Sequence, residues 1–223
     1  MNHQEISFFY DRMETCLKKP LPGLSAQLDM APIPRPGTVA FPEKEENSIP
    51  AGVLVLFFPK SDAVALALTQ RSDKLPIHQA QISFPGGRQE ANESLEKTAL
   101  REAEEELGIS TGGCRILGTL TPLYIPPTNF CIHPTVAGMI LRPEFLPSEF
   151  EVSEVLEFPL TSLLDKSTVQ RELWTIRGAP VDVPFFSFHG HKIWGATAMV
   201  LAELGRVVGD CLSERTIERI IFP

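Results

Sequence analysis

Residues 84–109 read FPGGRQEANESLEKTALREAEEELGI, a tight turn followed by a long acidic segment. A proline and two glycines in succession are typical of a turn. The segment after it predicts a helix from about Glu93 to Leu107, ended by Gly108, because glycine often follows the last helical residue. Four apolar side chains recur at every fourth position: Leu95, Ala99, Ala103 and Leu107. They share one side, so the stretch predicts a turn and an amphipathic helix packed on a core.

The predicted helix is unusually rich in carboxylates. Glutamates stand at positions 93, 96, 102, 104, 105 and 106, against two basic residues, Lys97 and Arg101. At about 100° per residue, Glu102, Glu105 and Glu106 share one face. Like charges one turn apart weaken a helix by roughly 0.2–0.5 kcal/mol, and carboxylates in its last turn oppose the helix dipole.

Two explanations of this acidic face are open. One is a solvated surface, and the other is a binding site for Mg²⁺ or Mn²⁺, because these cations prefer carboxylate oxygens. The Gly86-Gly87 turn just ahead of the helix lets the backbone approach a ligand closely, which favours the metal site.

The rest of the chain predicts a mixed α/β fold. Residues 4–18 have a helical pattern, and the seven prolines of residues 19–50 predict an irregular arm. Two strand-like runs, Val53–Phe58 and Ala63–Thr69, predict a β-hairpin. Further strands are expected at 114–124 and 134–141, and further helices from near Gly195 to about Leu204 and at Glu214–Ile221. Helices on a mixed sheet indicate an α/β sandwich over residues 51–223, with residues 1–50 packed on it as a helix and a proline-rich arm.

Composition limits the class of protein. With 223 residues and 43% hydrophobic content, the chain can bury one full core. A net charge of −8 argues against nucleic acid as a partner. The chain has no apolar run of about 18 residues, which argues against a membrane span. Residues Met1–Glu5 show no basic region ahead of an apolar core, so no secretory signal is predicted and we expect a cytoplasmic protein.

The cysteines and histidines predict no metal centre of their own. Cys16, Cys114, Cys131 and Cys211 lie far apart, without a Cys-x-x-Cys pair. We therefore expect reduced thiols rather than zinc ligands or disulfides. No helical His-x-x-x-His pair and no Gly-x-Ser-x-Gly motif occur, so the glutamates are the main candidates for catalysis.

The turn and the acidic helix closely resemble the signature motif of Nudix hydrolases. That motif reads Gly, five residues, Glu, seven residues, Arg-Glu-aliphatic-any-Glu-Glu-any-Gly-aliphatic. Here it is Gly87, Glu93 and the run Arg101–Ile109, in which Ala103 stands where a larger aliphatic side chain is usual. Seven fixed residues over 23 positions make the match specific, unlike a lone glycine-rich loop.

The resemblance implies a fold, a reaction and roles for individual residues. The fold is an α/β/α sandwich around a mixed sheet. The reaction is attack of water on phosphorus in a diphosphate linkage, assisted by Mg²⁺ or Mn²⁺. The metal ions are expected on four residues: Glu102, Glu105, Glu106 and the carbonyl oxygen of Gly86. Arg101 and Glu93 are expected to form an ion pair that holds the loop and orients the metal-binding face.

An upstream motif resembles the coenzyme A pyrophosphatase subgroup of this family. The subgroup pattern reads Leu-Leu-Thr-any-Arg-Ser, three residues, Arg, three residues, Gly, three residues, Phe-Pro-Gly-Gly. The chain keeps the flanks, Leu68–Ser72 and Phe84–Gly87, and the total spacing. Ala67 replaces Leu, Pro76 replaces Arg and Ala80 replaces Gly.

The replaced arginine bears on the substrate. Coenzyme A carries a 3′-phosphate and a diphosphate, and arginine is a natural bidentate partner of such groups. The candidate substrate-binding residues near the glycine turn are Arg71, Lys74, Arg88 and Gly87. With Pro76 two alternatives are open: another cation makes the contact, or the enzyme acts on another nucleotide diphosphate.

The C-terminal half carries weaker signals. Residues 151–155 and 193–198 resemble segments of the same subgroup, so the resemblance covers roughly residues 51–204. Trp194 has two interpretations, stacking on an adenine ring or filling the core. The general base is open between a glutamate of the motif, Glu151 and Glu154.

The sequence thus favours a metal-dependent hydrolase that cleaves coenzyme A or acyl-coenzyme A to 3′,5′-ADP and (acyl-)phosphopantetheine. One alternative is the same chemistry on ADP-ribose, a dinucleotide or a nucleoside triphosphate. Another is a catalytically idle Nudix fold that binds nucleotides or protein partners. The expected partner is a small nucleotide substrate, with no nucleic acid and no membrane. The assembly is open between a monomer and a homodimer.

Overall fold

A computed structural model of the chain describes residues 2–34, 47–61, 63–72 and 81–212. The helices within them are α1 His3–Leu17, α2 Leu24–Gln27, α3 Leu95–Leu107, α4 Leu160–Leu164 and α5 Gly195–Cys211. The strands are β1 Ile49–Lys60, β2 Ala63–Arg71, β3 Ile82–Ser83, β4 Gly86–Arg88, β5 Arg115–Thr119, β6 Leu123–Ile125, β7 Phe130–Gly138, β8 Val152–Pro159, β9 Val169–Ile176, β10 Ala179–Phe188 and β11 His191–Trp194. The helix predicted at Glu214–Ile221 lies outside the described residues.

The main sheet is built around β1. This strand pairs antiparallel with β2, through the predicted hairpin, and parallel with β7 on its other side. The order across the sheet is β3–β2–β1–β7–β5, and β8, β4 and β6 pair with β2, β1 and β7 respectively. The sheet is therefore mixed, as the sequence predicted. The single strand expected at 114–124 is in fact two, β5 and β6, and the strand expected at 134–141 begins earlier, at Phe130.

Different helices cover the two faces of this sheet. Side chains alternate along β1, so that Val55 and Phe57 belong to one core and Leu54 and Leu56 to the other. The first core includes apolar residues of α1 and α5, and the second includes those of α3. The chain is therefore an α/β/α sandwich, the fold class predicted from the sequence. None of the helices in the described ranges is long and apolar enough to cross a membrane.

Helix α1 is fixed at its start and along its buried face. The Asn2 side chain accepts hydrogen bonds from the amides of Gln4 and Glu5, and the Glu5 carboxylate accepts one from the Asn2 amide. This capping box satisfies amides that a helix start leaves unpaired. The buried Tyr10 hydroxyl donates a hydrogen bond to the carbonyl oxygen of Met139 at 2.7 Å. These contacts fasten α1 to the sheet just beyond β7.

The proline-rich arm is more regular than predicted. Leu24–Met30 forms α2 and a 3₁₀ turn, because no proline interrupts residues 23–31. The buried Gln27 amide donates a hydrogen bond to the Glu203 carboxylate at 2.8 Å. The same carboxylate accepts one from the Thr121 hydroxyl at 2.6 Å. This buried polar cluster joins the arm to α5, while residues 35–46 of the arm lie outside the described part of the chain.

One expectation about the cysteines is wrong. Cys16 in α1 and Cys211 at the end of α5 form a disulfide, with Cα atoms 6.0 Å apart. The two residues are 195 positions apart, so sequence spacing gave no sign of the pair. Packing of α1 beside α5 brings them together. Cys114 and Cys131 remain thiols, as expected.

A second sheet, β11–β10–β9, was not predicted. Its neighbouring strands pair antiparallel. Positions from Arg171 to the end of β9 alternate between exposed and half-buried, without the run of fully buried apolar residues that marks β1. Strand β11 continues directly into α5 at Gly195, whose φ of 64° lies in the left-handed region that favours glycine. The second sheet therefore leads into the start of α5.

Candidate functional site

Two glycines position α3. A Cβ at Gly52 in β1 would collide with the carbonyl oxygen of Leu95 in the first turn of α3. At the other end of the helix, Gly108 has a φ of 65°, and a Cβ there would collide with the carbonyl oxygen of Leu146. Glycine permits both close approaches. The helix is thus held against β1 at its start and against the β7–β8 connection at its end.

The glycine turn contacts the acidic face of α3. Gly86 and Gly87 belong to β4, which pairs with β1. A Cβ on Gly87 would lie 2.5 Å from Oε1 of Glu102. The backbone of Gly86 lowers the pKa of the Glu106 carboxyl group, against the larger opposing effect of burial. The structure therefore brings together the turn and two of the glutamates that the sequence singled out.

The ion pair expected between Glu93 and Arg101 is present in the structure. Nη2 of Arg101 lies 2.9 Å from Oε1 of Glu93, and Nε lies 3.3 Å from Oε2, which makes a two-point contact. Hydrogen bonding to Arg101 lowers the pKa of Glu93 to about 2, and Glu93 in turn raises the pKa of Arg101. Nη2 also donates a hydrogen bond to the carbonyl oxygen of Arg88 at 3.3 Å. The arginine therefore fastens the loop after β4 onto α3.

Arg101 also contacts two of the expected metal ligands. Its Nη1 donates hydrogen bonds to Glu102 at 2.8 Å and to Glu105 at 3.0 Å. One guanidinium thus offsets the charge of three carboxylates. Within the described ranges, no three carboxylate, imidazole or thiol side chains are arranged to hold a metal ion directly. A cation on Glu102 and Glu105 would compete with Arg101 for these oxygens.

Glu106 is buried, with 4% of its surface exposed. Burial raises its pKa to about 8, with Glu102 and Glu151 adding to the rise and Arg71 opposing it. Burial also raises the pKa of Glu102. Oε2 of Glu106 has no hydrogen-bond partner among the described residues. A divalent cation would satisfy this oxygen and offset the repulsion between the carboxylates, so the chemistry of these residues fits a divalent cation.

The two later glutamates considered as general bases lie in different surroundings. Glu151 interacts electrostatically with both Glu102 and Glu106. Glu154 has its Oε2 3.3 Å from Nε2 of His191, in the second sheet. Of the two, Glu151 is therefore the one that belongs to the glutamate cluster of α3.

A cavity of about 630 Å³ opens beside the glycine turn. Its walls come from β1, the turn, the connection after β6, the β9–β10 turn and the start of α5. Most of the lining is apolar, and its charged side chains among the described residues are three arginines: Arg71, Arg88 and Arg177. The whole chain has a net charge of −8. A cationic, largely apolar cavity in such a chain fits an anionic ligand that also has apolar surface.

Three of the four expected substrate-binding residues line this cavity: Arg71, Arg88 and Gly87. The fourth, Lys74, lies outside the described residues, as do Pro76 and Ala80. Arg88 also lines a smaller recess of about 490 Å³ together with Glu102. Arg88 therefore stands between the cavity and the glutamate face.

Trp194 both lines the cavity and packs against another aromatic side chain. It lines the cavity, and its ring packs edge to face on Trp174 with centroids 5.1 Å apart. Trp174 in turn donates a hydrogen bond from its indole to Glu172 at 2.8 Å. Trp194 is therefore a cavity wall held in place by the second sheet.

Arg177 was not predicted as a site residue. This residue and Gly178 form the two-residue turn between β9 and β10. An X-Gly pair between two strand-like runs is a hairpin signal, and it could have revealed the turn. Nothing in the sequence places that hairpin beside a glycine turn so much earlier in the chain.

The chain is similar in sequence to known Nudix proteins. Residues 49–174 match the family model described as NUDIX domain. The chain is 35% identical over 179 residues to the uncharacterized Nudix hydrolase NudL of Yersinia enterocolitica, a match that covers 78% of this chain and 87% of the relative. It is 36% identical over 158 residues to the mitochondrial coenzyme A diphosphatase of Homo sapiens, which covers 67% of this chain and 65% of that protein.

A solved structure shares the fold. The Nudix hydrolase RenU from M. smegmatis superposes with a TM-score of 0.52 at 17% identity, over 79% of this chain and 98% of that chain. The family model itself spans more than half of the sequence. The chain therefore belongs to the Nudix hydrolase family and is a pyrophosphohydrolase.

Proposed function

We propose that the protein is a Mg²⁺- or Mn²⁺-dependent diphosphatase that cleaves coenzyme A or acyl-coenzyme A to 3′,5′-ADP and (acyl-)phosphopantetheine. The observation that carries the proposal is the junction at β4, where the glutamate face of α3 meets the cationic cavity. The diphosphate of coenzyme A suits the glutamate face, and its further phosphate and apolar groups suit the cationic cavity. The human relative named a coenzyme A diphosphatase supports the same substrate.

The metal ions that Nudix hydrolases generally need would be held by four residues: Glu102, Glu105, Glu106 and the carbonyl oxygen of Gly86. Such ions polarise phosphoryl oxygens and lower the pKa of a bound water. Glu93 and Arg101 act indirectly, because their ion pair fixes the loop and the orientation of the glutamate face. A divalent ion would also bind the buried Oε2 of Glu106, which has no hydrogen-bond partner among the described residues.

Two arginines of the chain bind the substrate, and one carboxylate activates the attacking water. Arg71 and Arg88 bind diphosphate oxygens through charge-assisted hydrogen bonds, each worth about 1.5–3 kcal/mol. Glu151 acts as general base, with its carboxylate accepting a proton from the attacking water. Its carbonyl oxygen accepts a hydrogen bond from the Ser72 amide at 2.8 Å, which holds it beside the end of β2 that carries Arg71.

A second candidate is the same cleavage of ADP-ribose, a dinucleotide or a nucleoside triphosphate. The observation that favours it is Pro76, which stands where the coenzyme A subgroup has arginine. These compounds lack a 3′-phosphate and do not require that cation. A catalytically idle nucleotide-binding fold is disfavoured, because the buried Glu106 carboxylate is costly without a cation to pair it.

A substrate screen tests the proposal. The purified full-length chain is incubated with coenzyme A, acyl-coenzyme A, ADP-ribose, diadenosine compounds and nucleoside triphosphates, with Mg²⁺, with Mn²⁺ and with a chelator. We expect the highest kcat/KM on coenzyme A or its acyl derivatives. A higher value on ADP-ribose or a dinucleotide would favour the second candidate, and no turnover of any compound would favour the idle fold. A Glu106→Gln preparation controls for a contaminating hydrolase.

We also propose a cytoplasmic location, which the Cys16–Cys211 pair makes testable. Disulfides are uncommon in cytosolic proteins. Trapping thiols with an alkylating agent in intact cells, followed by mass spectrometry, measures the oxidation state of the pair. A reduced pair supports the cytoplasm, whereas a fully oxidised pair points to an oxidising compartment.

A further inference from the structure

Arg177 holds a backbone conformation that arginine rarely adopts. Its φ is 52° and that of Gly178 is 80°, so both central residues of the hairpin turn are left-handed. Such turns favour Asn-Gly and Asp-Gly, because these residues tolerate the left-handed region. Arg177 is exposed and gains no core packing in return. Five non-glycine residues of the described ranges have a positive φ, and Arg177 is the one of them that lines the cavity, which points to a function for its side chain.

The arginines of the cavity differ from the others in their pairing. Five arginines of the described ranges form ion pairs with carboxylates: Arg101, Arg115, Arg142, Arg171 and Arg206. Arg12 donates a hydrogen bond to the carbonyl oxygen of Cys211. Of the four arginines that form no ion pair with a described residue, the three other than Arg12 line the cavity: Arg71, Arg88 and Arg177. In an acidic protein, arginines that share one cavity and form no ion pair with a described residue are available to anionic groups of a ligand.

The three cavity arginines come from different parts of the fold. Arg71 and Arg88 lie close to the glutamates of α3, since Arg71 affects Glu106 electrostatically and Arg88 shares a recess with Glu102. A diphosphate placed for cleavage engages these two. Arg177 comes from the second sheet, at the β9–β10 turn. Arg177 is therefore available to an anionic group of the substrate that lies away from the cleaved bond.

We infer that Arg177 binds a phosphate monoester that the substrate carries in addition to its diphosphate. The inference rests on the proposed function, in which the 3′-phosphate of coenzyme A is this group. A guanidinium suits a terminal phosphate because it donates two parallel hydrogen bonds. Arg177 thereby supplies the cation that is missing at Pro76. It distinguishes 3′-phosphorylated from unphosphorylated substrates and touches no reacting atom.

Calorimetric binding of two nucleotides to the full-length chain tests this inference. The probes are adenosine 3′,5′-bisphosphate and AMP, which differ in the 3′-phosphate alone. The variants are Arg177→Asn, which removes the charge and suits the turn, and Arg177→Lys, which keeps the charge. Arg171→Asn is the matched control, because Arg171 lies in the same sheet but pairs with Asp182 and does not line the cavity. The kcat/KM values on coenzyme A and dephospho-coenzyme A are measured in parallel.

We expect the wild type to bind the bisphosphate at least about 10-fold more tightly than AMP, which is the range of one charge-assisted hydrogen bond. Arg177→Asn should abolish this preference, leave AMP binding unchanged and keep or raise Tm. Arg177→Lys should retain part of the preference, and Arg171→Asn all of it. In the kinetic assays, Arg177→Asn should lower kcat/KM for coenzyme A but not for dephospho-coenzyme A.

The outcomes separate the inference from the proposed function. The inference is overturned if Arg177→Asn keeps the wild-type preference for the bisphosphate or weakens the binding of both nucleotides equally. It is also overturned if neither nucleotide binds to the wild type. Both statements hold even if coenzyme A is cleaved. If the preference depends on Arg177 but coenzyme A is not cleaved, the inference stands and the proposed function fails. A preference lost equally in Arg171→Asn would mark a general effect of charge and would also overturn it.

Discussion

Gly87 lies so close to Glu102 that a Cβ atom on the glycine would be 2.5 Å from the glutamate carboxylate. The absence of a side chain at Gly87 therefore sets the position of Glu102 on α3. Arg101 holds the same carboxylate from the other direction, at 2.8 Å from its Nη1. The first fixed glycine of the motif and the first glutamate proposed as a metal ligand thus form one structural unit.

Gly87→Ala is expected to lower kcat/KM by about 100-fold, because a shift of about 1 Å in a reacting group can have an effect of that size. Glu102 must move to make room for the new methyl group. The control is Gly209→Ala in α5, where a Cβ meets open space and alanine suits the helix. Steady-state kinetics on the substrate found in the screen measure both. Wild-type activity in Gly87→Ala would show that this contact has no part in function.

Glu106→Gln is expected to weaken Mg²⁺ binding while leaving the metal-free fold at least as stable as the wild type. The substitution removes an anionic ligand, but in the metal-free fold it replaces a buried carboxyl group whose Oε2 has no described partner. Calorimetry with Mg²⁺ and thermal unfolding in chelator measure the two effects. Glu96→Gln makes the same charge change at an exposed position of α3 and serves as control. Unchanged Mg²⁺ affinity in Glu106→Gln would refute its role as ligand.

Arg101→Ala is expected to lower kcat roughly 10- to 100-fold with little change in KM, the usual range for residues that orient a metal site. Arg101 contacts carboxylates and a loop carbonyl rather than the cavity. Arg101→Lys should restore little, because lysine cannot make the two-point contact with Glu93. Arg142→Ala removes an exposed arginine paired with Glu157 and is the control. A raised KM with unchanged kcat would show instead that Arg101 binds substrate.

Cys16→Ser and Cys211→Ser are each expected to lower the free energy of unfolding by about 2–4 kcal/mol under oxidising conditions. Either substitution removes the same disulfide. The free energy of unfolding of the double variant should therefore be no lower than that of the less stable single variant. Denaturant unfolding with and without reductant measures this, and reductant should abolish most of the difference from wild type. Additive losses in the double variant would show that the two thiols pack independently.

The acidic helix α3 was predictable because its signals are local. Ser94 caps α3 by accepting a hydrogen bond from the Lys97 amide, and Gly108 adopts the left-handed conformation that ends it. The structure starts the helix at Leu95 rather than Glu93, because Glu93 precedes the cap and turns back to Arg101. The strands β1 and β2 were equally clear, since their apolar runs are bounded by turn residues.

Features that depend on distant parts of the chain were not predictable. The glycine turn and Arg177 share a cavity only because the second sheet leads into α5 and its strand β11 contacts β3. Only Glu93 was predicted as a partner of Arg101, whereas the contacts of Arg101 with Glu102 and Glu105 depend on the rotamers that the packed helix allows. The Cys16–Cys211 disulfide likewise depends on two helices from opposite ends of the chain.

The central claim is that the glutamate face of α3 and the cationic cavity together direct cleavage to the diphosphate of coenzyme A. Chromatography and mass spectrometry of the products formed with Mg²⁺ or Mn²⁺ test it most directly. The account predicts equal amounts of 3′,5′-ADP and phosphopantetheine from the wild type, no cleavage in chelator and almost none with Glu106→Gln. Release of inorganic phosphate and dephospho-coenzyme A, or full product yield from Glu106→Gln, would contradict it.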